Sequence, residues 1–445
     1  ILATSLLIEA FLYEEQTRRG VSLRHFEEFS DVADHCTICH KCLTPCPVDI
    51  DFGSVSVHMR NLLREQGKKR FVPAKAAAMA FLTMKDAATI RLVRRLMIGL
   101  GYRIQRQASR LARSLHLVQR QTRQPPSTLG PPALRSQVIH FINKPLPGRL
   151  VARTARALLD IEDEKTVAVI RDPRKASAPD YDGEAVFYFP GCGSERLFSQ
   201  VALASQAMLY SIGVQTVLPP GYLCCGYPQT AAGEANQGQT ITTDNRVLFH
   251  RVANTLNYLD IRTVIVSCGT CMDQLEKYHF EKIFPGCRLL DIHEYLLEKG
   301  VRLPAVDDIR YLYHDPCHVP MRTQSGIKVV NSLLAGPPVS LCERCCGESG
   351  TLAVTRPDVS TQVRFRKQEE VEKGAGRLRQ DGFSGTIKLL TACPSCLQGL
   401  SRFDEDCQTE ADYLVVEMAR RLLGADWLMS YVRQANSGGI ERVLL

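Results

Sequence analysis

Apolar positions change their rhythm partway along the chain. From about Glu164 onward, short apolar runs, TVAVI (166–170), AVFYF (185–189), TVIVS (263–267), YLYH (311–314) and TIKLL (386–390), alternate with longer stretches of helical period. Strands that alternate with helices predict an α/β fold with mostly parallel sheets. Upstream the period is helical throughout. Residues 1–55 read as a small helical domain, and 56–123 as helices rich in Arg, Leu, Ala and Met, with Leu92, Leu96, Leu100 and Ile90, Val93, Met97 recurring at helical spacing. Between Gln121 and Leu150 stand Pro125, Pro126, Pro131, Pro132, Pro145 and Pro147, a density that ends helices and stiffens a connector. The expected order is therefore a helical domain (1–55), a helical segment (56–123), a proline-rich connector (124–163) and two α/β modules (164–304 and 305–445).

A chain of 445 residues, 45% hydrophobic and 23% charged, can bury two or three ordinary cores. Its seventeen cysteines fall in tight clusters, not at the scattered spacing of a secreted disulfide scaffold, and point to metal in a reducing, cytoplasmic compartment. The opening ILATSLLIEAFLYEEQT reads as the middle of a helical region without a signal peptide's charged start and cleavage site, so a fragment of a longer chain is expected. No run of eighteen apolar residues occurs, and the longest candidate, Ala76 to Met84, stops at a Lys-Asp pair.

The first cluster is Cys36-Thr-Ile-Cys39-His-Lys-Cys42-Leu-Thr-Pro-Cys46-Pro47, the bacterial ferredoxin spacing for a [4Fe-4S] cluster. Three thiolates two residues apart can wrap three irons of one cube, whereas the cysteine before proline normally serves the other cluster of a two-cluster protein. With one such run present, either Cys46 closes a single cluster or the sister run lies upstream of Ile1. A zinc knuckle is the plainer alternative.

The second group is Cys192, Cys224-Cys225-Gly226 and Cys268-Gly-Thr-Cys271; the third is Cys317, Cys345-Cys346-Gly347 and Cys393-Pro-Ser-Cys396. Cys192 to Cys268 spans 76 positions, as does Cys317 to Cys393, and the two series are offset by 125, so one module is repeated. Adjacent cysteines point in different directions and suit two irons of one cluster; the following glycine permits φ > 0. Each Cys-x-x-Cys follows an expected strand and should open a helix, whose N-terminus favours the thiolate. Cys192 and Cys317 also end strands, so each set of five should converge at the carboxyl edge of its sheet. Zinc, which usually takes four ligands, fits two sets of five poorly. Cys287, Cys342 and Cys407 are left over and read as inert buried thiols. His314 and His318 flank Cys317 and could hydrogen-bond cluster sulfur or hand on protons, with a capping or core role as the plainer expectation; His35 and His40 are read the same way.

This pattern resembles the cysteine-rich CCG domain found in the B subunit of heterodisulfide reductase and in the iron-sulfur subunits of glycolate oxidase and anaerobic glycerol-3-phosphate dehydrogenase. A ferredoxin-like segment followed by two CCG modules is the order in those iron-sulfur subunits, and similar modules occur fused behind FAD-linked oxidase domains of the D-lactate dehydrogenase type. The resemblance implies a noncubane [4Fe-4S] cluster on each five-cysteine set, FAD on a further domain or partner, and electrons passed to a membrane quinone or similar acceptor. Some members instead reduce disulfides at these clusters, so a thiol-disulfide reductase is the alternative, and a zinc-stabilised scaffold is a third reading.

Charge adds a location. Between Arg60 and Arg123 stand sixteen Lys or Arg against Glu65 and Asp86, a local +14 in a chain of +8. A basic amphipathic helix reads as attachment to the inner face of a membrane or as a helix packed on a partner protein. Nucleic acid is disfavoured, since no aromatic interleaving or known motif accompanies the charge. Gly191-Cys192-Gly193 lacks the third glycine of a dinucleotide fingerprint, so substrate oxidation is expected on a flavin partner and one-electron transport on this chain.

Overall fold

The computed structural model describes residues 30, 33–118, 133–148, 150–176, 183–348, 352–380 and 382–445. The expected helix before residue 30 and the prolines from 125 to 132 lie outside this set.

All five apolar runs are strands: β1 (Thr166–Ile170), β2 (Ala185–Phe189), β4 (Ile261–Val266), β6 (Ile309–His314) and β8 (Thr386–Thr391). With β3 (Gln215–Leu218), β5 (Arg288–Asp291), β7 (Ser340–Cys342), β9 (Glu410–Tyr413) and β10 (Ile440–Leu444) they form two sheets, ordered β10-β1-β3-β2-β4-β5 and β7-β6-β8-β9. The shared order 3-2-4-5 and 7-6-8-9 is parallel throughout, while β1 adds antiparallel to β3 and β10 antiparallel to β1. The fold is thus α/β with two tandem, mostly parallel modules. In each, the chain leaves its first core strand toward one side and crosses to the other, which opens a crevice at the carboxyl ends of β2 and β4, and again of β6 and β8.

One hydrophobic core joins the modules. The helix Ser199–Ser211 after β2 is buried on nearly every side, as befits a helix without a polar face, and packs on Leu414–Leu423 after β9. Its counterpart Gly326–Leu333 packs on Ile292–Glu298, so the two contacts are related by a pseudo-twofold axis. Leu203, Leu209, Leu296, Val329, Leu333, Leu414 and Met418 are all fully buried in this shared core.

Two segments differ from the sequence boundaries. Residues 305–445 were expected to form only the second module, yet β10 crosses back and pairs with β1 from Thr166↔Leu444 to Ile170↔Ile440. The range expected as connector, 124–163, contains helices at Leu134–Ile142 and Ala155–Leu159. The prolines flank LRSQVIHFI without entering it, so local chemistry permits that helix, and packing against the helix Pro357–Gln380 holds it.

The basic segment is docked, not free. Its helices are Phe52–Glu65, Pro73–Thr83, Ala87–Arg94 and Tyr102–Ser114, with a π-helical stretch Arg95–Gly101 between the last two. Two fully buried arginines fasten it to the first module: Arg94 donates to the carbonyls of Arg196, Leu197 and Val151, and Arg196 donates to those of Phe81, Leu82, Met84 and Tyr222. No described helix is long and apolar enough to cross a membrane. Because buried carbonyls that lose a charged donor keep their full desolvation cost, Arg196→Ala should lower stability by about 2–4 kcal/mol. Urea unfolding should register the loss, and limited proteolysis should find new cleavage between residues 81 and 95.

Candidate metal centres

The four cysteines of the ferredoxin run are all partly buried, in a loop before the helix Phe52–Glu65. Ile38, His40 and Asp49 adopt positive φ (52°, 55° and 53°), which turns backbone N–H groups inward. Ile38 N–H lies 3.4 Å from Cys36 Sγ, and Ile50 N–H 3.3 Å from Cys46 Sγ. Arg60 holds the loop by donating to the carbonyls of Ala33 and Cys36, and His40 Nδ1 meets Asp51 at 2.6 Å.

Both five-cysteine sets converge as their spacing predicts. In the first, side-chain contacts run in a line Cys192, Cys224, Cys225, Cys271, Cys268, with Cys192 and Cys224 sulfurs 3.9 Å apart. In the second they run Cys317, Cys345, Cys346, Cys396, Cys393. Gly226 and Gly347 have φ of +89° and +81°, and a Cβ on Gly347 would stand 2.6 Å from Arg364 Cγ. Cys268 and Cys393 each cap a helix, Gly269–Leu275 and Pro394–Leu400.

Tertiary packing then brings the three groups together. Cys393 donates a hydrogen bond to Cys268, joining the two CCG lines end to end, and Cys317 donates to Cys39, joining the ferredoxin loop to the second line. The backbone repeats this pairing. A Cβ on Gly269 would fall 1.6 Å from the carbonyl oxygen of His318, and one on Gly193 would lie 3.2 Å from Pro394, so the residue after each strand-end cysteine abuts the residue after the other module's Cys-x-x-Cys start. His318 ties all three parts: its ring reaches Asp273 on one side and the Ile38 carbonyl and Tyr227 hydroxyl on the other, both at 2.9 Å. Burial opposes the charge on Asp273, but the hydrogen bond and charge of His318, with Arg322, hold its carboxyl below the usual range.

Thiol acidity follows these contacts. The hydrogen bond from Cys317 brings Cys39 down to about 5, and that from Cys224 brings Cys225 down to about 6. Their donors move the other way; contacts with neighbouring thiols also hold Cys268 and Cys345 well below the usual thiol range and push Cys192, Cys271, Cys346 and Cys396 above it. Burial pushes Cys287, Cys342 and Cys407 up to about 11, 11 and 12, in keeping with inert thiols.

One member was undervalued at the level of sequence. His314 ends β6 fully buried, and one of its ring nitrogens lies with the sulfurs of Cys346 and Cys396 in a triangle no wider than 4.8 Å. Burial, reinforced by Lys367, depresses its imidazole to about 3. The residue at the end of β2 in the first module is Phe189, so the two sets are not chemically equivalent.

The chain's known relatives match this arrangement. The family described as "Cysteine-rich domain" (CCG) matches residues 186–276 and again 311–401, and a "Domain of unknown function" (DUF3400) matches 401–445, the stretch that returns to the first sheet. An uncharacterized iron-sulfur protein of Methanocaldococcus jannaschii is 26% identical, covering 53% of this chain and 46% of its own. The B subunit of the fumarate reductase (CoM/CoB) of Methanothermobacter marburgensis is 26% identical over 48% of this chain and 41% of its own. A probable glycolate oxidase iron-sulfur subunit of Bacillus subtilis is 24% identical over 48% of each. The match thus spans less than half the length of these relatives. No solved structure matches the chain. Two tandem modules, each with its five thiols gathered at the carboxyl edge of a parallel sheet, are thus two copies of the Cysteine-rich (CCG) domain in a chain related to iron-sulfur proteins.

Proposed function

We propose that the chain is the electron-relay component of a flavin-linked dehydrogenase acting on a 2-hydroxy acid or glycerol 3-phosphate. A flavin domain or partner subunit oxidises the substrate; electrons enter at Cys36, Cys39, Cys42 and Cys46, pass through the second CCG set and the first, and leave toward a membrane quinone or similar acceptor. The observation that carries this reading is the pair of sulfur contacts, Cys39 with Cys317 and Cys268 with Cys393, which string three thiol groups into one path. The thiols suit iron: five in a row of contacts in each set, with Cys225, Cys268 and Cys345 held below the usual thiol range by neighbouring thiols. When bound, iron-sulfur clusters supply one-electron carriers; the residues of the chain position them and keep water out.

The acceptor's membrane is read from the basic segment. Leu92, Leu96, Leu100, Ile104, Leu111 and Leu115 are each more than half exposed, at spacings that keep them on one side of the helix. Exposed Arg95, Arg103 and Arg110 have no carboxylate partner among the described residues, and an apolar stripe flanked by such charge complements an anionic lipid surface.

A second reading, thiol-disulfide reduction, is favoured by one feature. A cavity of about 630 Å³, lined by Arg344, Gln362, Val363, Phe365 and Arg366, opens onto Cys345 and could admit a small substrate to the second set. Reduction of a disulfide by this chain alone with reduced viologen would select that reading over the relay.

Purified without oxygen, the chain should contain iron with matching acid-labile sulfide, and Cys225→Ser or Cys346→Ser should remove one centre's signal and leave the other. Zinc in place of iron would turn these cysteines into structural ligands. Freeze-quenched reduction through the flavin partner should fill the ferredoxin-type centre before either CCG centre, and the reverse order would overturn the direction of flow. The chain should sediment with phosphatidylglycerol vesicles and not with phosphatidylcholine ones, with binding lost in Leu96→Glu/Leu100→Glu and weakened by salt. Equal recovery in the supernatant would assign the stripe to a protein partner.

A further inference from the structure

The two CCG sets have the same five thiols in the same order of contact, so any difference between them comes from what else reaches the sulfurs. Gln229 and Thr270 reach sulfurs of the first set through side-chain oxygens, but among the described residues only the second set has a histidine or carboxylate grouped with its sulfurs, His314, whose ring is completely buried. Its two nitrogens have different surroundings. Nδ1 lies 3.1 Å from the carbonyl oxygen of Cys342, which can only accept, so Nδ1 carries the proton. Nε2 is therefore the nitrogen with the lone pair, it is buried without a hydrogen-bond partner, and a nitrogen of this ring lies within 4.8 Å of the sulfurs of Cys346 and Cys396. An imidazole fixed by Nδ1–H to a backbone carbonyl, with a bare, buried Nε2 and cysteine sulfurs beside the ring, is the arrangement in which proteins present histidine to a metal. A hydrogen bond from Nε2 to cluster sulfur is excluded by the same tautomer.

The site is also built from elements that hold it still. His314 is the last residue of β6 and pairs in register with Cys342 of β7 and Thr391 of β8. Lys367, fully buried on the helix Pro357–Gln380, donates to the same Cys342 carbonyl at 3.0 Å and so fixes the acceptor that fixes the ring. In the first module Phe189 occupies the corresponding strand end and offers no donor.

We propose that His314 Nε2 is a sixth donor to the second CCG centre, so that this centre takes one nitrogen ligand and the first, all-thiolate, takes none. The inference rests on the reading of these sets as iron-sulfur centres. An imidazole in place of thiolate donation changes a centre's electronic character, as in Rieske clusters, so two copies of one module would become two different carriers.

The test is pulsed EPR on the iron-loaded chain grown with ¹⁴N- or ¹⁵N-histidine. A strongly coupled nitrogen that changes with the label is expected in the wild type, retained in Cys225→Ser, lost with the second centre in Cys346→Ser, and lost in His314→Phe, which copies the first module. Iron and sulfide measured on the same samples separate the two readings. Iron-loaded chain with no histidine nitrogen coupling, or with coupling that survives His314→Phe, overturns the ligand and leaves the centres standing; a chain that takes up no iron overturns both. Should His314→Phe fail to fold, the labelled wild type together with the two serine variants still decides the matter.

Discussion

Ten thiols of two modules lie in one seam, and the Cys268–Cys393 contact at its centre is what the rest of the architecture serves. Sulfurs that close can be reached only if two backbones meet without side chains between them. That explains Gly269 under the His318 carbonyl, where any other residue would force the modules apart, and Gly193 against Pro394, where a side chain would be tight. The helices behind the seam are correspondingly apolar, and Ser199–Ser211 has almost no exposed residue, because it serves the core of one module and the interface with the other at once.

The same need to exclude water accounts for the helical segment. Helices from Pro73 to Ser114 lie over both modules: Tyr102 and Arg113 reach Gln398, Glu405 and Asp406 of the second, and Arg94 and Arg196 hold the first, each used as a many-armed donor to backbone carbonyls and not as half of an ion pair. A guanidinium is suited to this task because it presents several donors in a fixed plane. The charge the segment leaves outside is then free to act at the surface, next to a row of leucines that the core does not use.

Duplication gave two similar sets, and their surroundings have made them different. The first set is buried throughout, whereas Cys317 and Cys345 of the second are only partly buried, next to the ferredoxin loop and the cavity at Arg344 and Arg366. His314 and its first-module counterpart Phe189 extend the difference to the sulfurs themselves.

Much of this was legible along the chain. Strand runs, the positive-φ glycines after the cysteine pairs and the helices opened by Cys-x-x-Cys depend on residues within a few positions of one another, and all of them stand where their local chemistry puts them. The return of β10 to β1 was not legible, because IERVL carries no mark of which sheet edge it will meet; that pairing is decided by an edge left open some 270 positions earlier in the chain. The helix at Leu134–Ile142 was hidden among prolines, and it exists where the second module gives it a surface. His314 was visible as a residue beside a cysteine, yet the proton on Nδ1 and the direction of Nε2 are set by a carbonyl on β7 and a lysine from a distant helix. By itself the sequence determined which residues could hold metal and how each set of five would gather. Only the tertiary structure decided that the three sets touch, because contact between sulfurs far apart in the chain depends on how whole modules pack, which no local pattern encodes.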